Sequence, residues 1–409
     1  MAALRSVLLI AFALGGCSLL RQTDEYNAGG GAPGTGAGGT SGSGAADGGL
    51  TDAAVDVQHD AGSDGASDAT TSAGATYVFV GSDAPKPNNL ERYRLDPATG
   101  KLTFLGGTNA NGPAKFMARH PTLPFVYVAG ASSAFAVNPS TGDLTPTGNK
   151  GTSDAPTYIE VVPSGSYLLA AYWGLSLAEI VAINPNGTLG NVTGSASPGV
   201  HCHATAADRS ERFVFVANVD SNSISQFVLE SDSGTLKANS PASIAAPNGP
   251  RHLVFHPSLD VAYVMNLTKA STTTYAFDAK LGTLTETSTV SSLPPGTTEP
   301  SEGADIHLHP SGKFLYGSNY SGAQSSLVIY AVNATTGALS VLGHESTRGV
   351  DPRNFHIDPS GRVLVVINRL SDNLVSFLID PATGKLSFVE EHQVVASPYF
   401  VDAYTFSAE

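Results

Sequence analysis

Seven times along the chain a Gly, one free residue and a Leu recur: Gly100-Lys101-Leu102, Gly142-Asp143-Leu144, Gly187-Thr188-Leu189, Gly234-Thr235-Leu236, Gly282-Thr283-Leu284, Gly337-Ala338-Leu339 and Gly384-Lys385-Leu386. The marks lie 42, 45, 47, 48, 55 and 47 residues apart. A repeat of this length built from strands and turns is the signature of a β-propeller blade. Seven marks predict an all-β chain: a seven-bladed β-propeller of four-stranded antiparallel blades.

The stretch after Gly249 shows one blade. Residues 250–257 read as a short strand stopped by a Pro turn, and 261–266 as a second strand, apolar on both faces as a strand between neighbouring blades must be. Residues 272–277 alternate like a third strand, 278–282 carry turn chemistry, and 283–289 form a more polar outer strand. The Pro turn recurs at Pro121, Pro163, Pro257, Pro310 and Pro359, and Asn218, Asn266, Asn319 and Asn368 end four of the second strands as turn-formers. Residues 77–80 match a second strand with no first before it, and 397–401 match a first strand with no second after it. Both termini must therefore complete one blade, which closes the ring and removes its exposed edges.

The propeller is expected over residues 76–409. Residues 1–16 read as a signal peptide: Arg5 supplies the positive region, and the apolar run that follows is too short to span a bilayer. The run ends on Leu14-Gly15-Gly16-Cys17, which resembles a bacterial lipobox, so Cys17 is the expected lipidation site. A plain secretory signal with an incidental Cys is the alternative. Residues 17–75 are dominated by Gly, Ala, Ser, Thr and Asp and read as a disordered tether, being too poor in apolar groups to offset the entropy of ordering. An exported lipoprotein of the cell envelope follows, in the outer membrane where the cell has one, touching membrane through the lipid only. The formal net charge is −14, half of it in the tether, and no basic patch supports nucleic-acid binding. Cys17 and Cys202 are the only cysteines. With Cys17 acylated no intramolecular disulfide forms, and Cys202 is expected to be buried. A monomer is expected.

The innermost strands of a propeller line its central channel, so residues entering them converge on one mouth. Aligning the copies on their Pro turns brings Lys115, Thr157, His201, Arg251, Ala304, Arg353 and Tyr399 there, with Asp305 one residue further in. Such a set of cations suits a carboxylate or phosphate. The competing role for each Arg is to bond carbonyls of neighbouring blades.

Gly249-Pro250-Arg251-His252-Leu253-Val254-Phe255-His256-Pro257, Ala304-Asp305-Ile306-His307 with Ser311-Gly312-Lys313-Phe314-Leu315-Tyr316, and Pro352-Arg353-Asn354-Phe355 resemble the seven-bladed lactonase family of 6-phosphogluconolactonases and carboxymuconate-lactonising enzymes. The resemblance runs over residues 77–406. It implies a His, an Arg and a Glu around the channel mouth. The His falls on His201, with His203 as the second choice, and the Arg on Arg251. The Glu position holds Leu267, and the frequent Ser-Asn-Arg is Ser318-Asn319-Tyr320. Asp305, Glu160 and Glu302 are the candidate stand-ins for that acid.

The reading that follows is hydrolysis of an acidic lactone bearing a carboxylate or phosphate, without a cofactor, the expected partner being a small anionic lactone or carbohydrate-derived acid. His201 and Arg251 are the catalytic pair, His201 acting as general base on water. Arg353, His203, Asp305 and Lys115 bind substrate, and the arginines steady the oxyanion. The rival reading is a non-catalytic surface propeller that binds a ligand or a protein partner. His201-Cys202-His203 and His307-Leu308-His309 are strand His-x-His pairs, but zinc needs further ligands, the pairs lie two blades apart, and His309 repeats His120 and His256 before the Pro turn. A structural role for these histidines is expected, and no metal.

Overall fold

The computed structural model describes residues 74–407 apart from 85–86, 131–132, 149–150, 299 and 321. The signal peptide, Cys17 and the tether as far as residue 73 lie outside the described residues. The described chain forms seven four-stranded antiparallel sheets. Six of them use consecutive strands, and the seventh is the closing blade. There Pro398–Phe406 is innermost and pairs with Ala75–Ser82, followed outward by Leu90–Asp96 and Lys101–Thr108. Phe79 stands opposite Asp402 and Val80 opposite Val401 in that ladder.

Hydrophobic burial lies between blades. Seven apolar clusters each join two neighbouring blades: Phe215, Ala262, Val264 and Phe277 share one, and Tyr316, Phe355, Leu364 and Phe377 another. Second strands such as Val363–Asn368 are buried at every residue because a blade covers each face. Outer strands such as Thr283–Ser291 expose most of theirs.

The Gly-x-Leu marks are more than turns. All seven glycines have φ between 64° and 83°, the left-handed region that disfavours a side chain. Most also press onto the second strand of the preceding blade: a Cβ on Gly282 would fall inside the Phe213 ring. The neighbouring Tyr hydroxyls donate to these turns, Tyr127 to Gly187 O at 2.8 Å and Tyr316 to Gly384 O at 2.7 Å. The histidines before the Pro turns lock blades in the same way. His256 Nδ1 accepts from the Ser258 and Leu259 amides while its Nε2 meets Gly312 O at 3.1 Å, and His309 Nε2 meets Gly361 O at 2.8 Å. Cys202 is fully buried, its Sγ directed at the Tyr172 and Leu177 carbonyls, and burial pushes its thiol up to about 11. It is an inert packing residue.

Candidate active site at the channel mouth

Regular strand pairing would aim alternate residues of each inner strand at the channel. Near the mouth the pairing is irregular in five blades. Lys115, His203, Arg251 and Tyr399 are each skipped by the partner strand, and Ala304-Asp305 stand opposite the single residue Ser318. Such bulges insert one residue and re-aim the side chains around it. Consecutive residues thereby reach one pocket: Lys115 with Phe116, and Arg251 with His252. Thr157, His203, Arg353, Asn354 and Tyr399 complete the lining of about 240 Å³, open mouth included.

Of the residues expected at this mouth, Lys115, His203, Arg251 and Arg353 do line the pocket. His201 does not. It sits just before the bulge with φ 55°, stacks flat on Trp173 at 4.3 Å between ring centres, and places Nδ1 2.7 Å from Asp220 Oδ2. This blade lacks the Pro: Asp208 N bonds Phe213 O as His256 N bonds Val261 O, so Arg209 takes the place of Pro257 and His203, not His201, corresponds to Arg251. Asp305 lies behind the lining and is 1% exposed. Ala304 contributes its carbonyl, which accepts from Arg251 Nη1 at 2.5 Å. The inter-blade bond anticipated as the competing role of an Arg is thus made here. It fixes the guanidinium without exhausting its five donors. Arg353 lies over the Tyr399 ring at 3.9 Å, and its Nη2 donates to the Tyr399 hydroxyl at 2.5 Å.

His252 was missing from the sequence-based candidates. Strict alternation puts it on the opposite face from Arg251, and only the bulge lets both face the pocket. Its Nδ1 is 2.6 Å from Asp305 Oδ1. Burial and Arg251 push the imidazole down to about 4, against the opposing pull of Asp305. His203 is held well below the usual histidine range by burial and by Arg251, His252 and Arg353. Burial acts to raise Asp305, but His307 and His252 outweigh it and hold the carboxyl well below its ordinary range.

Among the described residues no carboxylate lines the pocket. Leu267, at the expected Glu position, packs with Trp173 and Val219 in a small apolar cluster beside His203. Tyr320 has its phenol raised by burial despite the pull of Arg251 and Arg353. Glu160 lies deeper, and burial pushes it up to about 8. His307 reaches Asp305 while His309 caps a turn, so that His-x-His pair is split. Among the described residues no three His, Cys, Asp or Glu side chains are grouped to hold a metal ion.

A family model described as a lactonase, seven-bladed β-propeller, matches residues 77–403. The 6-phosphogluconolactonase of Formosa agariphila is 27% identical over 356 residues, covering 81% of this chain and 100% of the relative. That of Pectobacterium carotovorum subsp. carotovorum is 29% identical over 330 residues, covering 79% and 97%. The periplasmic gluconolactonase of Pseudomonas aeruginosa has the same fold, with a TM-score of 0.74 at 22% identity over 82% of this chain and 100% of that one. With the family's pattern spanning the whole ring, the chain belongs to the seven-bladed β-propeller lactonases.

Proposed function

We propose that this protein hydrolyses a lactone bearing a carboxylate or phosphate, and that it does so in the pocket at the channel mouth. The observation that carries this reading is the lining itself: Lys115, Arg251 and Arg353, each at most 9% exposed, converge on one pocket. Cations gathered in this way suit an anionic ligand, and guanidinium forks fit carboxylate and phosphate oxygens. The 6-phosphogluconolactonase relatives supply the reaction class. In this reading the arginines bind the anion and stabilise the oxyanion that forms on the lactone carbonyl. Phe116 and Tyr399 flank the ring.

The test is turnover of purified protein against a panel of phosphorylated, carboxylated and uncharged lactones, with Arg251→Ala alongside. Removing one partner of a buried charge contact costs about 2–5 kcal/mol. Arg251→Ala should therefore lower kcat/KM for anionic lactones by about 30-fold or more, and for uncharged ones far less. Equal loss on both classes would remove the anion-binding role. Binding of the ring-opened acids with no turnover of any lactone would instead favour a binding protein, the reading to which Leu267 lends support.

A further inference from the structure

Hydrolysis needs a group that accepts a proton from water, and among the described residues the lining offers two imidazoles, His203 and His252. His252 is backed by an acid. Asp305 is bound through both oxygens: Oδ1 lies 2.6 Å from His252 Nδ1 and accepts from the Ile306 amide at 2.9 Å. Oδ2 accepts from Asn354 Nδ2 at 2.6 Å and the Phe355 amide at 3.2 Å, and lies 3.0 Å from His307 Nε2. A carboxylate held ionised in this way can only accept, so it places the His252 proton on Nδ1. The remaining lone pair is then on Nε2, which accepts from Arg251 Nη1 at 3.3 Å. His203, 5.0 Å away between ring centres, is pressed by Arg251, Arg353 and His252 itself. A proton added to His252 is stabilised by the Asp305 carboxylate behind it.

We propose that His252 is the general base of lactone opening, and that Asp305, braced by His307 and Asn354, positions it; this rests on the lactone-opening reading above. Nε2 takes one proton from water as the water oxygen bonds to the lactone carbonyl carbon. The ring C–O bond then breaks and the imidazolium returns that proton to the departing ring oxygen. The product is a hydroxy acid, which releases its carboxyl proton to solvent. Asp305 fixes the tautomer and stabilises the imidazolium without being protonated. Arg251 links binding to chemistry: an anion that draws its guanidinium off Nε2 frees the lone pair for water and offsets the charge that most depresses His252 after burial. The groups facing His252 are Arg251 on its own strand, His203, Tyr158, and Asp305 with His307 on the next blade.

The experiment measures kcat, KM and the pH profile for whichever panel lactone the wild type opens, with calorimetric binding of the ring-opened acid and a melting curve for each variant. His252→Gln should lower kcat by about 10²–10⁴-fold, with KM, acid binding and melting retained. Asp305→Asn should lower kcat and move the acid limb of the profile to lower pH, because its charge raises the basicity of His252. A role in packing alone would leave that limb in place. A folded His252→Gln that keeps the wild-type kcat would overturn the assignment while leaving the lactonase reading intact. A wild type inert toward every lactone would remove the reading and the base together.

Discussion

At the scale of single residues, one glycine turn shows how the repeat is enforced. Gly282 combines φ 68° with a Cβ direction blocked by the Phe213 ring, whereas Gly296 has φ 82° and open space around it. An L side chain in the left-handed region costs about 1–2 kcal/mol, and forcing a methyl into a packed contact adds about 1–3 kcal/mol. Gly282→Ala should lose about 2–5 kcal/mol in denaturant unfolding, and Gly296→Ala only about 1–2 kcal/mol. Equal losses would show that Gly282 is a turn residue alone, with no part in seating one blade on the next. Leu267 and Tyr320 belong to the same scale. Each follows the Asn that closes the buried part of a second strand, and Leu267 packs there with Trp173 and Val219.

At the scale of elements, the inner strands decide the chemistry because they are irregular. Lys115, His203, Arg251 and Tyr399 owe their aim to skipped residues in the ladder. Deeper in the channel the strand Tyr158–Val161 returns to regular pairing. It carries Glu160 with Oε2 buried and unpartnered, and burial pushes the carboxyl up to about 8. The folded protein thus holds this proton more tightly than the unfolded chain, whose glutamate titrates near 4.5. The linked stability is complete below about pH 4.5, is lost as pH rises toward about 8, and is level beyond. Glu160→Gln should flatten this limb, so the variant should gain stability over wild type at pH 8 and little at pH 4.5. Parallel stability–pH curves for the two proteins would contradict the buried acid.

At the scale of the molecule, stability is shared around the ring, and closure is its most exposed dependency. Pro398–Phe406 contributes Phe400 and Phe406 to the cluster with Tyr77 and Phe79, and Val401 and Ala403 to the cluster with Val365 and Ile367. Deleting residues 398–409 strips two inter-blade cores and bares the edge of Ala75–Ser82. The single cooperative unfolding transition should disappear, and a truncated protein that kept the full melting temperature would refute closure by these strands. Much of this plan was readable from the chain alone. The Gly-x-Leu spacing counted seven blades, and the unmatched strands at residues 77–80 and 397–401 located the closing one, because each blade repeats its own turn chemistry locally. Arg251, Arg353 and Lys115 were also placed at the mouth, since a propeller brings the start of every inner strand to one end. His201 was preferred to His203 because that blade lacks the Pro that marks the register. A β-bulge adds one residue whose cost and aim depend on the partner strand, so no local pattern turned His252 in to Asp305. The sequence by itself determined the ring, because its signals are local and repeated sevenfold. Tertiary structure alone decided the site, because its geometry is set by one-residue mismatches between strands and by a carboxylate from the neighbouring blade.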